Sequence, residues 1–204
     1  MKAGSMEPVW FYFDFASPYG YLAAKRVDAI AARHGRVVAW RAFLVGAAVK
    51  VTGSASLFEQ PLRGDYTVHD MQRFARLQEV PLRVPPKLPV HSLVASRAYY
   101  WLFDQDPVLA KAFANAVFDA IWGEGRDLSS AQAVAEVAAS EGIDSPALLA
   151  AIATAPVKGR LREEVTAAIA KGVFGSPFFL VDGEGFWGMD RLDQVDRWLE
   201  TGGW

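Results

Sequence analysis

The chain has 204 residues, 52% of them hydrophobic, and a net charge of −2 at pH 7. This balance is typical of a folded protein with a sizeable core, and the lack of a long basic run argues against nucleic-acid binding. The chain has no cysteine and its three histidines are not at metal-ligand spacing, so disulfides, dithiol redox chemistry and a histidine-rich zinc site are not expected, although carboxylates could bind a hard cation. No residue is assigned to a metal.

The start of the chain and its apolar runs bear on targeting. No apolar run is long enough to span a bilayer, so no membrane association is expected. The first residues lack the apolar core of a secretory signal, and the expected location is the cytoplasm. Residues 1–6 are interpreted as the remnant of a cloning tag.

The first predicted unit is strand, helix, strand. Residues 8–15 are apolar on both faces, as in a strand covered by helices on both sides. Ser17-Pro18 has the cap-then-proline pattern of a helix start, and Gly35 is a stop signal. The apolar stripe between them consists of Tyr19, Leu22, Ala23, Val27, Ile30 and Ala31. Residues 37–43 predict a second strand.

The middle of the chain, residues 65–172, is predicted to be almost entirely helical. The exception is the proline-rich segment 81–90, which predicts an extended connector. Helix starts are predicted at Asp106-Pro107, at Ser145-Pro146 and at the capping box Ser129-x-x-Gln132.

The last predicted unit is a hairpin followed by a helix. Residues 177–181 and 185–187 predict two strands joined by a turn at Asp182-Gly183. Asp190 is a candidate cap for a final helix. The element order predicts an α/β protein with a thioredoxin-like fold and a large all-helical insertion. The predicted domains are 7–64 with 173–204, and the insertion 65–172.

Ser17 is the first candidate for chemistry. It follows a buried strand and opens a helix, where backbone N–H groups favour an anion. Its hydroxyl is suited to donate a hydrogen bond to a thiolate supplied by a ligand, lowering the pKa of that thiol. The alternative is that Ser17 is only a helix cap, which is the common reason for a serine at this position.

Other candidates also have two interpretations each. Pro177 is either an ordinary turn proline or a cis proline whose preceding Ser176 pairs strand-fashion with a bound peptide. Asp190 either caps a helix or accepts the amino group of a γ-glutamyl ligand. Arg63 either binds a carboxylate or is a solvated charge. Trp122 either walls a substrate pocket or fills the core.

Several segments together resemble one family. They are residues 13–22, Thr52-Gly53, Pro61-x-Arg63-x-x-Tyr66, Trp122-Gly123-Glu124-Gly125, Gly175-Ser176-Pro177-Phe178 and Gly188-Met189-Asp190-Arg191. In this order and spacing they resemble the 2-hydroxychromene-2-carboxylate isomerases, relatives of kappa-class glutathione transferases in the DsbA-like superfamily.

The resemblance implies glutathione as a cofactor, a small aromatic carboxylate as substrate and a homodimer. The glutathione sulfur would lie at Ser17, the site of a redox cysteine in relatives. The implied glutathione contacts are Ser17, Ser54, Arg63, Ser176, Pro177, Met189 and Asp190. Ser54 and Met189 differ from the residues common in relatives, and Arg63 stands where a lysine is common.

The implied reaction converts 2-hydroxychromene-2-carboxylate, or a related intermediate of aromatic breakdown such as that of naphthalene, to trans-o-hydroxybenzylidenepyruvate. The hypothesis is reversible thiolate addition to the conjugated double bond, with rotation before the thiolate leaves. Candidate cations for the substrate carboxylate are Lys50, Arg63 and Lys87, and candidate aromatic walls are Tyr19, Trp122 and Phe178. The alternatives are a kappa-type transferase that conjugates electrophiles and a non-catalytic DsbA-like binding module.

Overall fold

A computed structural model describes residues 7–53 and 55–204. The expected tag remnant at 1–6 and the expected glutathione contact Ser54 lie outside the described residues. The helices and strands are β1 (Val9–Phe13), α1 (Pro18–Ala24), α2 (Val27–Arg33), β2 (Val38–Ala42), α3 (Val45–Thr52), α4 (Arg63–Leu77), α5 (Leu93–Phe103), α6 (Pro107–Phe118), α7 (Ala131–Ser140), α8 (Ser145–Ile152), α9 (Ala155–Ala170), β3 (Phe178–Val181), β4 (Glu184–Trp187) and α10 (Leu192–Thr201).

The sheet has the arrangement that the element order predicts. Over the described residues its four strands lie in the order β2-β1-β3-β4. β1 is parallel to β2 and antiparallel to β3, and β3 forms an antiparallel hairpin with β4. β1 is therefore central, which explains why it is apolar on both faces. The α/β, thioredoxin-like fold with a helical block between its two halves is confirmed.

The sheet and the helical block share one apolar core. Phe13 of β1 packs against Tyr99 of α5 and Phe118 of α6, with ring centroids 5.3 and 5.5 Å apart. Tyr99 also donates its hydroxyl to the backbone oxygen of Trp40 in β2 at 2.9 Å. The helical block is thus fixed to the strand next to β1. The proposed division into two domains remains a prediction.

The first predicted helix is interrupted. One stripe suggested a single helix up to Gly35, but the structure has α1 and α2 separated by a turn at Lys25 and Arg26. There the amide of Arg26 donates to the oxygen of Ala23, three residues back instead of four. The side chains at the turn bind partners on different elements, Lys25 to Asp119 and Arg26 to Asp193 on α10. α1 is therefore only seven residues long.

Three predicted caps are shifted or absent. α7 is capped by Ser130 and not by Ser129, and α8 is capped by Asp144, so that Ser145 is its first residue. Asp190 does not cap α10, because it lies in a short 3-10 turn that precedes the helix. The cap position is taken by Arg191, whose side chain makes no cap bond. At α7 and α8 the cap is thus the residue next to the predicted one, and at α10 a 3-10 turn stands where the cap was predicted. Asp106 caps α6 as predicted.

Over the residues that are described, no helix combines the length and the apolar character needed to cross a membrane.

Candidate functional site

The Ser17 hydroxyl makes two hydrogen bonds. Its Oγ accepts from the amide of Gly20 at 3.0 Å, which is the N-cap bond of α1. The same hydroxyl donates to the backbone oxygen of Ser176 at 2.9 Å. Ser17 is therefore a cap, as the simpler interpretation holds, and it also contacts the loop that carries Pro177.

The loop before β3 is attached to both of its neighbours. The Ser176–Pro177 peptide bond is cis. The side-chain hydroxyl of Ser176 accepts from the amide of Asp14 at 2.8 Å, and the oxygen of Pro177 accepts from the amide of Gly188 at 3.0 Å. The segment around Ser176 is thus bonded to the end of β1 on one side and to the residues after β4 on the other.

Asp14 holds the site together, and sequence reasoning did not single it out. Its carboxylate accepts from the amide of Ala16 at 2.9 Å and from the amide of Val45, the first residue of α3, at 2.8 Å. Burial raises the pKa of Asp14. The signal in the sequence is an acidic residue directly after a buried strand. A carboxylate in such a place needs hydrogen-bond partners if it is to be buried.

Gly20 sets the distance between α1 and the Ser176 loop. A Cβ added at Gly20 would lie 3.0 Å from the Ser176 Oγ and 3.3 Å from the Asp14 backbone oxygen. These contacts are tighter than most that real Cβ atoms make, so a side chain here would push the two segments apart. The absence of that side chain lets the Ser17 hydroxyl reach the Ser176 carbonyl.

Met189 and Asp190 follow Gly188 along the edge of an open groove of about 570 Å³. Met189 is buried, and its sulfur accepts a hydrogen bond from the side-chain amide of Gln78 at 3.2 Å. Asp190 is exposed, with its carboxylate 3.6 Å from the Arg191 guanidinium. The Asp190 carboxylate is therefore accessible to a solute, and it is linked to the Ser17 corner through Gly188.

The candidate cations occupy three different places. Arg63 begins α4, is exposed, and donates to the side-chain oxygen of Gln60 at 2.9 Å. Lys50 is exposed in the last turn of α3. Lys87 is exposed in the connector before α5 and pairs with Asp127 at 3.0 Å. The contacts of these residues do not join them to Ser17, and Lys87 already has a carboxylate partner.

Tyr19 joins α1 to α4. Its hydroxyl donates to Asp70 at 2.7 Å, and its ring packs edge-on against Phe74 with the centroids 6.3 Å apart. Burial and the adjacent Asp70 carboxylate raise the pKa of Tyr19. Arg73 and Tyr66 contact the same carboxylate. The Tyr19 hydroxyl is thus engaged in holding α4 beside α1.

The other two candidate walls are buried. Trp122 is 0% exposed and donates its indole N–H to the backbone oxygen of Phe15 at 2.9 Å. It fills the core and has no accessible surface for a ligand, so it is not a pocket wall in this structure. Phe178 is also buried, and its ring contacts Phe174, whose own ring is partly exposed.

In the described part of the chain no group of three or more His, Cys, Asp or Glu side chains is arranged to hold a metal ion. The groups that meet at Ser17 are a hydroxyl, backbone amides and carbonyls, and one buried carboxylate. Such a set can bind and orient a peptide and can stabilise an anion by hydrogen bonds.

Comparisons with known proteins cover nearly the whole chain. The family model of the DsbA-like thioredoxin domain matches residues 8–200. The 2-hydroxychromene-2-carboxylate isomerase of Sphingobium xenophagum is 33% identical over 191 residues, which are 93% of this chain and 96% of that protein. Glutathione S-transferase kappa 2 of Caenorhabditis elegans is 28% identical over 208 residues, covering 94% and 91% of the two chains. A solved 2-hydroxychromene-2-carboxylate isomerase has a TM-score of 0.86 at 30% identity, covering 95% of each chain.

Proposed function

Because the chain belongs to the 2-hydroxychromene-2-carboxylate isomerase family of DsbA-like thioredoxin proteins, and is an isomerase on that ground, we propose that it works with glutathione. The proposed substrate is 2-hydroxychromene-2-carboxylate or a related aromatic-degradation intermediate, and the proposed product is trans-o-hydroxybenzylidenepyruvate or its counterpart. The relatives named for kappa-class glutathione transfer support the choice of cofactor.

The observation that carries the proposal is the contact between Ser17 and Ser176. The Ser17 Oγ lies 2.9 Å from the Ser176 backbone oxygen, at the first turn of α1. A peptide whose cysteine pairs with Ser176 would therefore have its sulfur close to this hydroxyl. A chain without cysteine needs such an external sulfur for any thiol chemistry.

The residues present fit a γ-glutamyl-cysteinyl-glycine peptide. The Ser176 carbonyl has a second lone pair for the cysteinyl N–H, and the exposed Asp190 carboxylate would accept the terminal amino group. Pro177 and Met189 flank these two groups. Arg63 and Ser54 are the further contacts that the family resemblance implies, and both remain proposals.

Bound glutathione would supply a thiolate nucleophile that adds reversibly to the conjugated double bond of the substrate. The role of Ser17 is to donate its only O–H to that sulfur. In the structure this O–H is directed at the Ser176 carbonyl, so it has to turn away from that carbonyl to reach the sulfur. α1 has seven residues, so local hydrogen bonds, and not a long helix dipole, would stabilise the anion.

A cation would hold the substrate carboxylate, and Lys50, Arg63 and Lys87 are the candidates. Lys50 and Arg63 have no carboxylate partner among the described contacts, whereas Lys87 is paired with Asp127. The first two are therefore the stronger candidates. Of the three candidate aromatic walls, Trp122 is wholly buried, so Tyr19 and Phe178 are the two that we propose lie next to the substrate.

The decisive experiment is calorimetric titration with glutathione, followed by a spectrophotometric isomerase assay with and without it. We expect saturable binding, isomerisation that depends on glutathione, and recovery of free glutathione at the end. Accumulation of a glutathione conjugate would instead identify a kappa-type transferase, the second candidate that the kappa relatives favour. Absence of both glutathione affinity and isomerase activity would leave a non-catalytic binding module.

The family resemblance also implies a homodimer. Analytical ultracentrifugation of the purified chain tests this part, since a monomer at micromolar concentration would contradict it.

A further inference from the structure

Two exposed aromatic rings lie next to the Ser176 loop. Phe174 and Trp187 are 42% and 54% exposed, and their ring centroids are 4.9 Å apart in an edge-on arrangement. The Phe174 ring also contacts the buried ring of Phe178, with the centroids 5.5 Å apart. The three residues form one aromatic cluster of which Phe174 and Trp187 provide the exposed part.

The strand register explains why this cluster opens to solvent. Arg41, Tyr12, Phe178 and Trp187 are paired in turn across β2, β1, β3 and β4, so their side chains share one face of the sheet. Tyr12 and Phe178 are buried in the middle of the row. Trp187 ends the row on the edge strand β4, where no further strand covers it among the described residues.

The exposed rings border the active corner. A Cβ at Gly175 would lie 2.3 Å from the Trp187 Nε1, so the indole rests directly on the backbone of Gly175. The next residue is Ser176, whose carbonyl oxygen is 2.9 Å from the Ser17 hydroxyl. The loop is bonded to Gly188, the residue after Trp187, through the oxygen of Pro177. Phe174 lies two residues before Ser176, and Trp187 rests on Gly175 between them, so both rings lie beside the loop where the sulfur is proposed to bind.

The exposed area suits a small flat ligand better than a protein partner. From the sizes of the two side chains and their exposure, the rings present on the order of 200 Å². A stable interface between two protein copies needs about 800 Å² from each partner. One face of a bicyclic aromatic ring matches the smaller area, and aromatic rings pack well edge-on or offset against each other.

We propose that Phe174 and Trp187 bind the aromatic ring of the substrate and so determine specificity for planar aromatic carboxylates. This inference rests on the proposed function, since it assigns a place to the substrate of the same site. The ring would pack on Trp187 while the unsaturated side chain of the substrate points over Ser176 toward Ser17.

The kinetic test compares Trp187→Ala and Phe174→Ala with Trp204→Ala, a control at another exposed tryptophan, 67% exposed, near the end of the chain. We expect the KM for 2-hydroxychromene-2-carboxylate to rise about 3- to 10-fold in the first two variants, with kcat nearly unchanged. Trp187→Phe keeps a ring and should restore most of the affinity. The calorimetric Kd of glutathione should not change, which separates a lost substrate contact from general damage to the site.

A second test does not depend on turnover. The indole N–H signal of Trp187 is identified in a nitrogen-15 spectrum as the one lost in Trp187→Phe, and 2-naphthoate, an unreactive planar carboxylate, is titrated in. We expect this signal to shift and that of Trp204 to stay. An unmoved Trp187 signal together with an unchanged KM overturns the inference, as does a shift that depends only on protein concentration, which would assign the cluster to a second copy. If glutathione fails to bind, the proposed function fails, and the naphthoate titration alone decides this inference.

Discussion

Replacing Ser17 by alanine tests the proposed use of its hydroxyl. The change removes the cap bond to the Gly20 amide and the donor that now points at Ser176. Loss of a hydrogen bond to a charged sulfur costs about 1.5–3 kcal/mol. The pKa of the bound glutathione thiol should therefore rise by about 1–2 units, and isomerisation at neutral pH should slow by about 10- to 150-fold. Ultraviolet thiolate absorbance, followed as a function of pH with glutathione bound, measures the first quantity directly.

The lost cap needs its own control, because it lowers stability by about 0.5–2 kcal/mol without any catalytic role. Ser130 provides it: its Oγ accepts from the Ala133 amide at 3.1 Å and caps α7 in the helical block. Ser130→Ala should lower the free energy of unfolding to a similar degree and leave the thiol pKa unchanged. If Ser17→Ala also leaves both the thiol pKa and the rate at wild-type values, Ser17 is a cap and nothing more.

Three further predictions concern charged side chains. Asp14→Asn leaves one of two part-buried amides without its acceptor, so we expect a loss of about 1–3 kcal/mol and a Tm lower by roughly 2–12 °C in scanning calorimetry. An unchanged Tm would contradict the role given to this carboxylate. Asp196 on α10 bonds to His34 and Arg33, and these contacts, the His34 hydrogen bond first, hold the pKa of Asp196 below its ordinary value. The ionised Asp196 carboxylate therefore stabilises the fold above about pH 4, and this stabilisation is lost as the pH falls through the lowered pKa of the folded state. Asp196→Asn should thus lower the free energy of unfolding at pH 7, measured by urea denaturation, by at most about 1 kcal/mol and should match wild type in acid; a difference independent of pH would refute the assignment. Arg63→Ala should weaken glutathione binding about 3- to 10-fold by calorimetry, whereas Lys87→Ala, whose ammonium is already paired, should change it by less than about twofold; the reverse order would show that Lys87 is the ligand contact.

Much of the structure around Ser17 was predictable because its signals are local. A serine and a proline after a buried apolar run specify a helix start, and the structure has both the start and the cap at Ser17. Gly175-Ser176-Pro177 before a short apolar run likewise predicted a loop leading into a strand. Bringing these two segments together required the element order, which matches only a few known layouts.

The parts that were not predicted depend on contacts between residues far apart in the chain. Lys87 pairs with Asp127 forty residues later, and no local pattern marks a surface lysine as already engaged. Trp122 has an aromatic ring that would suit a pocket wall, but packing places it wholly in the core. The position of Trp187 at the open end of an aromatic row follows only from the register of the strands, because a shift of one residue would turn it to the opposite face.

The contact across Gly20 has a consequence for how this corner can change. One missing methyl group sets the gap between the helix and the proline loop, since a carbon there would meet Ser176 at 3.0 Å. Widening that gap by a few tenths of an ångström would loosen the hydroxyl from its carbonyl while leaving every polar group in place. The pKa of a thiol held there could thus be changed through the distance between α1 and the Ser176 loop alone, by a substitution at Gly20 that alters no polar group.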